Sequence, residues 1–482
     1  MTLDPADWDA FRETAHRMLD DMIDWLESVR DRPAWRPVPD HVKARFEAAV
    51  PRDGSPLDAV YEEFRESILP YPTGNLHPRF WGWVRGAGTA DGMVADLLAS
   101  GMNAHTGGFD QAATYVERQV VRWLAELAGF PAEASGILVS GCSMANLVGL
   151  AVARQARAGW DVNEEGLQGE GKPRLVLYAS SETHGSVAKA ARLLGLGDRA
   201  DRRIPVNGAF EIDTAALLEA IRADREAGHH PFCVVGNAGT VNTGAIDDLE
   251  ELAAICEAEG LWFHVDGAFG AIAAWSDELR DRVAGLERAD SLAFDLHKWG
   301  SIPYDIGCAI VRDPVVHRGA FSLIAPYLSA RARGIASEGA TFGDLGLQLS
   351  RRFRALKVWM ALKVHGADAI ARSVERNVGQ AGRLAAMVEA HPRLALAAPV
   401  ALNVVCFRWV DDRLDADELD RVNEEILFRI QESGEAVPSS TVIDGRFVLR
   451  AAIVNHRSRE EDLELLLERV AAEGEAVAAS TT

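Results

Sequence analysis

Residues 291–301 read SLAFDLHKWGS. Four small or apolar residues close on an aspartate, and after one leucine a histidine and a lysine stand side by side. A short apolar run bounded by polar residues fits a strand buried on both faces. The chain has six lysines, Lys43, Lys172, Lys189, Lys298, Lys357 and Lys363, and only Lys298 directly follows such a run. Moving outward, the same texture recurs in GILVS (136–140), RLVLYAS (174–180), FCVVGNAGT (232–240), LWFHVD (261–266) and GCAIVRD (307–313), alternating with amphipathic helical sequence. That alternation predicts an α/β fold, a mostly parallel central sheet with helices on both faces. Ligands in such sheets bind at the carboxyl ends of the strands, which is where Lys298 falls.

The flanks differ from this core. Residues 5–30 place Phe11, Met18, Met22, Trp25, Leu26 and Val29 at helical spacing, and RPAWRPVPD (32–40) breaks the pattern. Residues 1–75 are therefore expected to form an N-terminal helical segment, and residues 76–365 the large domain. From about residue 366 the chain reads as helix, strand (ALNVVCFRWV, 401–410), helix, strand (GRFVLRAAIV, 445–454) and final helix. This predicts a small C-terminal α+β domain over 366–482.

Composition narrows the function. With 72 acidic against 50 basic residues the formal charge is −22, so an acidic surface would repel nucleic acid or an anionic membrane. Cys142, Cys233, Cys256, Cys308 and Cys406 are scattered singly, without the paired spacing of a zinc site or a disulfide framework, and fit a reducing compartment. The opening MTLDPADWDAF is acidic and amphipathic rather than basic and then apolar, and no apolar run approaches membrane-spanning length. A soluble, cytoplasmic protein without a metal site is expected.

Four strand ends carry candidate chemistry. In GILVSGCSMANLVGLAVARQARAG (136–159) a strand turns into a helix near Cys142. Free amides and the positive dipole end at such a start favour a phosphate, with the Ser143 hydroxyl as a further donor. The plainer alternative is a turn in which Ser143 only caps the helix. YASSETHGSVAKAARLLG (178–195) puts His184 at another helix start, where its ring could stack on an aromatic cofactor and bond a substrate carboxylate, or simply hold the turn. LWFHVDGAFG (261–270) closes a strand on Asp266, a carboxylate able to pair with a cationic ring nitrogen or to cap the next turn. Lys298 at the end of its strand loses hydration, which is expected to lower its pKa and expose the nucleophilic amine. The ordinary alternative is a stem packed on the sheet with its head in water. Each motif alone is weak. Together they supply a phosphate cradle, a stacking imidazole, an acid for a ring nitrogen and an imine-forming amine, the services that pyridoxal 5'-phosphate requires.

These residues lie in motifs that resemble the group II pyridoxal-phosphate-dependent amino acid decarboxylases, most of all the aromatic-L-amino-acid decarboxylases. The resemblance runs from HPRFWGW (77–83) through SGCSMANL, ETHGSV, NAGTVNTGAIDDL, WFHVDGAFG and DLHKWG to LSRRFRALKVWMALKVHG (349–366) and RFVLRAAI (446–453). It implies the aspartate-aminotransferase-like fold, fold type I, with residues 76–365 as the cofactor-binding domain. It also implies a homodimer in which the N-terminal segment packs on the partner subunit. By the same resemblance Lys298 is the imine lysine, Asp266 meets the pyridinium nitrogen and His184 stacks over the ring. Cys142, Ser143, Thr240, Ala268, Asp295 and His297 fall at cofactor-contacting positions.

Two features qualify the likeness. Close aromatic decarboxylases carry asparagine where this chain has Asp295, which adds an anion near the phosphate. The segment SLIAPYLSARARGIASEGAT (322–341) is similar to the family's mobile catalytic loop, with Tyr327 as the proton donor, although its spacing from Pro326 is one residue shorter than in the animal enzymes. The resemblance places FWGWVRGAG (80–88) beside the substrate. Trp81 and Trp83 there favour an aromatic side chain, while Arg79 and Arg85 keep an acidic one open. A transaminase would carry a late arginine for the substrate carboxylate, for which Arg446 and Arg450 are the candidates. An aldehyde synthase would share Lys298 and Asp266.

Overall fold

The computed structural model describes residues 2–323, 333–337 and 341–481. Seven strands form the larger sheet: β1 (Ser135–Val139), β2 (Leu175–Ser180), β3 (Asp201–Ile204), β4 (His230–Asn237), β5 (Trp262–Asp266), β6 (Ser291–Asp295) and β7 (Gly307–Val311). Their spatial order is β1-β7-β6-β5-β4-β2-β3. The pairs from β6 through β5, β4 and β2 to β3 are parallel, and β7 runs antiparallel to both β6 and β1. Six of the seven strands therefore point the same way, and their carboxyl ends share one edge.

The strands are apolar because helices cover both faces. Every residue of β2, β5, β6 and β7 is buried, as expected of parallel strands that lack a wet face. The helix Cys142–Arg157 lies closest to the centre, with Ala145 through Ala153 buried without a break. Its small residues permit close approach. At Gly149 a Cβ would stand 2.5 Å from His264 Cε1 of β5, so any side chain there would push the helix off the sheet. Aspartates start many of the outer helices. Asp213, Asp248 and Asp313 accept backbone amides of the first turn before Thr214–Glu226, Leu249–Glu259 and Pro314–Phe321, which gives part of the acidic excess a local structural use.

A second sheet follows, in the order β10-β11-β9-β8, from β8 (Leu394–Leu396), β9 (Val404–Trp409), β10 (Ser439–Ile443) and β11 (Arg446–Ala452). Contacts divide the chain into two compact units. One comprises Val84–Ala386 and Ala398–Cys406, the other Met1–Trp83, Met387–Ala397 and Phe407–Thr482. The N-terminal helix, Trp8–Glu27, begins at Asp7, whose carboxylate accepts from Asp9 and Ala10 amides. It leaves Trp8, Phe11 and Ile23 exposed. Within that unit Arg30 ties the N-terminal segment to Asp462 at 2.7 Å and to the Arg457 carbonyl at 2.8 Å. No described helix is long and apolar enough to cross a membrane.

Candidate active site

Register brings the site together. Val139 of β1 and Asp295 of β6 both stand opposite Gly307 of β7, so the turn after β1 and the end of β6 meet across one strand. Asn237 of β4 likewise stands opposite Asp266 of β5. Of the residues singled out from sequence, Cys142, Asp266, Ala268, Asp295, His297 and Lys298 converge at this edge.

Asp295 holds two of them. Its Oδ1 accepts the Cys142 amide at 2.6 Å, at the start of the central helix. Its Oδ2 lies 2.9 Å from Lys298 Nζ, with side-chain exposures of 3% for the acid and 22% for the lysine. Burial is the largest single influence on Lys298 and opposes its charge, as the sequence suggests, but Asp295, Cys142 and Asp266 together outweigh it and the lysine pKa is raised above 10.5. This corrects the expectation of a lowered value, since the contact with Asp295 adds both a charge pair and a hydrogen bond that favour the ammonium. His297 is buried, its Nδ1 accepts the Ile306 amide at 3.1 Å, and its ring lies 4.2 Å from that of Tyr304. Burial lowers the His297 pKa, so its ring stays neutral, 3.6 Å from Asp295.

Asp266 is held differently. Oδ1 accepts the Ala268 amide at 3.1 Å and the Cys142 thiol at 3.4 Å, and Oδ2 accepts Asn146 Nδ2 at 2.8 Å. Burial and the Asp266 charge push the Cys142 thiol well above its usual range, so it remains a donor. Asn146 is oriented from behind. Its Oδ1 lies 2.9 Å from His264 Nε2, and His264 Nδ1 lies 2.8 Å from the Ser291 hydroxyl, which accepts the Trp262 indole N–H at 2.8 Å. Because an indole only donates and an amide oxygen only accepts, the tautomer is fixed: Ser291 donates to Nδ1, and His264 Nε2–H donates to Asn146. Burial drops the His264 pKa to about 4, keeping the ring neutral in that role. The chain of donors from Trp262 ends on the Asp266 carboxylate.

The remaining candidates are more scattered. His184 caps the helix Gly185–Leu193, its Nδ1 accepting the Ser186 amide at 3.2 Å. The residue stays exposed, while desolvation of the rest of the ring lowers its pKa. Ser143 is exposed in the first turn of the central helix. Thr240 is buried after β4, its hydroxyl 3.2 Å from that of Thr243. Tyr327 lies outside the described residues.

Trp81 and Trp83 belong to the other unit. Trp81 has no exposed surface, and its backbone bonds Val437 and Ala452. Trp83 is half exposed at φ 55°. Arg79 lies 3.8 Å from Asp462. Arg446 pairs with Asp417 and Asp420, and Arg450 donates to the Trp83 carbonyl and Ser439, so both late arginines have partners within their own unit.

The sequence reading missed Asn146, His264, Ser291 and Tyr304. Asn146 left one trace, a polar residue one turn after Cys142 inside an otherwise apolar helical face. Among the described residues there is no cluster of three or more His, Cys, Asp or Glu side chains able to hold a metal.

Comparison with known proteins gives a consistent result. Residues 39–410 match the family described as the pyridoxal-dependent decarboxylase conserved domain. An aromatic-L-amino-acid decarboxylase of Bacillus atrophaeus is 33% identical, the match covering 97% of this chain and 96% of that one. A phenylacetaldehyde synthase of Arabidopsis thaliana is 29% identical, with 94% and 93% covered. The crystal structure of Oryza sativa TDC with PLP and tryptamine superposes with a TM-score of 0.91 at 29% identity, covering 98% of this chain and 99% of that one.

Proposed function

The chain belongs to the pyridoxal-dependent decarboxylases, and from that premise we propose that it removes the carboxylate of an aromatic L-amino acid, releasing the amine and carbon dioxide. Its cofactor is pyridoxal 5'-phosphate. The observation that carries the reading is the meeting, through Cys142, of a lysine at the end of β6 and a donor-braced carboxylate at the end of β5. That donor set fits the cofactor: one amine for an aldehyde, one buried anion for a ring nitrogen, and a helix start with Ser143 for a phosphate.

When bound, the cofactor supplies a conjugated cationic ring that draws off the electrons of the bond to the departing carboxylate. Lys298 would hold it, and must shed a proton to do so. Asp266, whose hydrogen-bond partners are all neutral donors, would keep a proton on the ring nitrogen. Ser143 and Thr240 would serve the phosphate, with Cys142, Ala268 and His297 lining the site. The exposed ring of His184 would lie against the cofactor. Tyr327 would return a proton to the α carbon once carbon dioxide has left.

An aromatic substrate is supported by the names of the relatives. The engagement of Arg79 with Asp462 leaves an acidic substrate less well served. We also read the protein as a cytoplasmic homodimer. Exposed Trp8, Phe11 and Ile23 on the first helix, with Leu57 and Val60 on the helix Leu57–Ser67, are suited to packing on a partner subunit, and five cysteines carried as buried thiols suit a reducing compartment.

The test is to supply purified protein and added cofactor with tryptophan, tyrosine, phenylalanine, dopa and glutamate, measure carbon dioxide, and identify products by mass. Amine from the aromatic substrates is the expected result. A keto acid, an aldehyde with peroxide, or turnover of glutamate alone would overturn the proposal.

A further inference from the structure

We propose that Asp295 governs how readily Lys298 captures the cofactor, by holding the lysine as an ion-paired ammonium and by occupying the first amide of the central helix. The inference rests on the reading of Lys298 as the cofactor-bearing lysine. Both oxygens of Asp295 are engaged, one by the Cys142 amide at 2.6 Å and one by Lys298 Nζ at 2.9 Å. The acid cannot swing away easily: its own amide donates to Ala268 and its strand is pinned opposite Gly307. Two consequences follow from charge alone. An amine reacts with an aldehyde only after passing its proton to solvent, and a carboxylate at contact distance opposes that loss. A phosphate approaching the helix start meets an anion already bonded there, where like charges repel in a poorly hydrated site.

The other ionisable groups facing this pair are His297 and Tyr304 from the turn after β6, Cys142 from the central helix, Asp266 from β5 and His184 from the helix after β2, with Arg85 and Asp305 acting on Tyr304 and His297. The two imidazoles have lowered pKa values, and the thiol and phenol have raised ones. All four are therefore neutral near pH 7, and Asp295 and Lys298 balance chiefly each other. Asparagine at 295 keeps the shape and the acceptor for Cys142 but removes the charge. Asp295 is on this view a positioning residue that acts through Lys298.

The experiment follows uptake of pyridoxal 5'-phosphate, and separately of pyridoxal, by cofactor-stripped wild-type protein and Asp295→Asn from neutral to alkaline pH. Alongside, Lys298 is labelled with trinitrobenzenesulfonate and mapped by peptide mass. The expected result for Asp295→Asn is uptake of both aldehydes at least about tenfold faster at neutral pH, with the uptake and labelling profiles moved to lower pH by about one unit or more. Unchanged or slower uptake by a variant with wild-type circular dichroism overturns the proposal. So does acceleration confined to the phosphorylated aldehyde with an unmoved labelling profile. If Asp295→Asn does not fold, Asp295→Ser carries the same expectation. Should borohydride fix the cofactor to a lysine other than Lys298, the functional reading fails, while the labelling profile still decides whether Asp295 controls Lys298.

Discussion

β5 and β6 are neighbours, each closes on a buried aspartate, and the two carboxylates are held in opposite ways. Asp266 accepts from an asparagine, a thiol and an amide, all neutral. Asp295 accepts from an amide and from the chain's own ammonium. The charge of Asp295 is thus balanced internally, whereas Asp266 keeps its charge for a cation from outside. The same residue at equivalent strand ends acquires two chemistries from what the adjoining helix and turn bring to it.

The most severe way to break this contrast is Lys298→Ala. It removes the proposed attachment point of the cofactor and the cation of Asp295 together, and turnover should fall by about 10³-fold or more. Borohydride reduction should then leave no cofactor on the mapped peptide. Retention of a reducible link would assign the role to another lysine. Asp266→Asn tests the other side while nearly preserving shape. With the anion gone the ring nitrogen loses its counter-charge, and kcat/KM should drop by about 10²–10³, the usual range for deleting one preorganised electrostatic partner, with the visible spectrum of bound cofactor altered. A loss below threefold would mean that Asp266 only caps its turn.

The contrast was only partly legible in the sequence. Apolar runs located β1, β2, β5, β6 and β7 within two residues, and β4 with an end three residues too late, because strands buried on both faces have to be apolar. The edge strand β3, DRRI, went unread: its Arg203 and Asp201 pair with each other and only Ile204 is buried, so it carries no apolar run. The reversal of β7 was also invisible, since hydrophobic pattern carries no direction. Lys298 and Asp266 could be found as polar residues closing apolar runs, but burial alone predicted the wrong sign for the lysine, because the ion pair depends on a turn geometry that spacing does not encode. Asn146 and Tyr304 reach the site only through tertiary approach, the former because Gly149 lets its helix sit against His264.

Asn146→Leu sharpens the comparison at a smaller scale. Leucine is close in volume but removes the bonds to Asp266 Oδ2, the His264 N–H and the Ser186 hydroxyl. Three buried groups each lose a bond, so unfolding free energy measured in denaturant should fall by about 2–4 kcal/mol. Cofactor affinity should drop with it, while the pH dependence of Lys298 labelling stays where it was. A variant that moved the Lys298 profile would show that the two carboxylates are not independent.

Solution pH probes both sides at once, since they should fail at opposite ends of the scale. His264 supports Asp266 only when neutral, and its pKa is lowered from 6.5 to about 4 in the folded protein. Between those values the unfolded chain binds a proton that the folded one refuses. The stability from a neutral His264 is therefore complete above pH 6.5 and lost as the pH falls toward 4, at up to about 1.4 kcal/mol per pH unit for this one group. Lys298 has the opposite sign. Its pKa is raised above 10.5, so the stability of its pair with Asp295 is complete below pH 10.5 and lost as the pH rises through the folded value. Denaturant unfolding across pH for wild type, His264→Gln and Asp295→Asn separates the two. The first variant should flatten the acid limb and leave the alkaline one, and the second should do the reverse. If His264→Gln leaves the slope below pH 6.5 intact, the imidazole is not held neutral, and the row of donors through it to Asp266 is not formed as described.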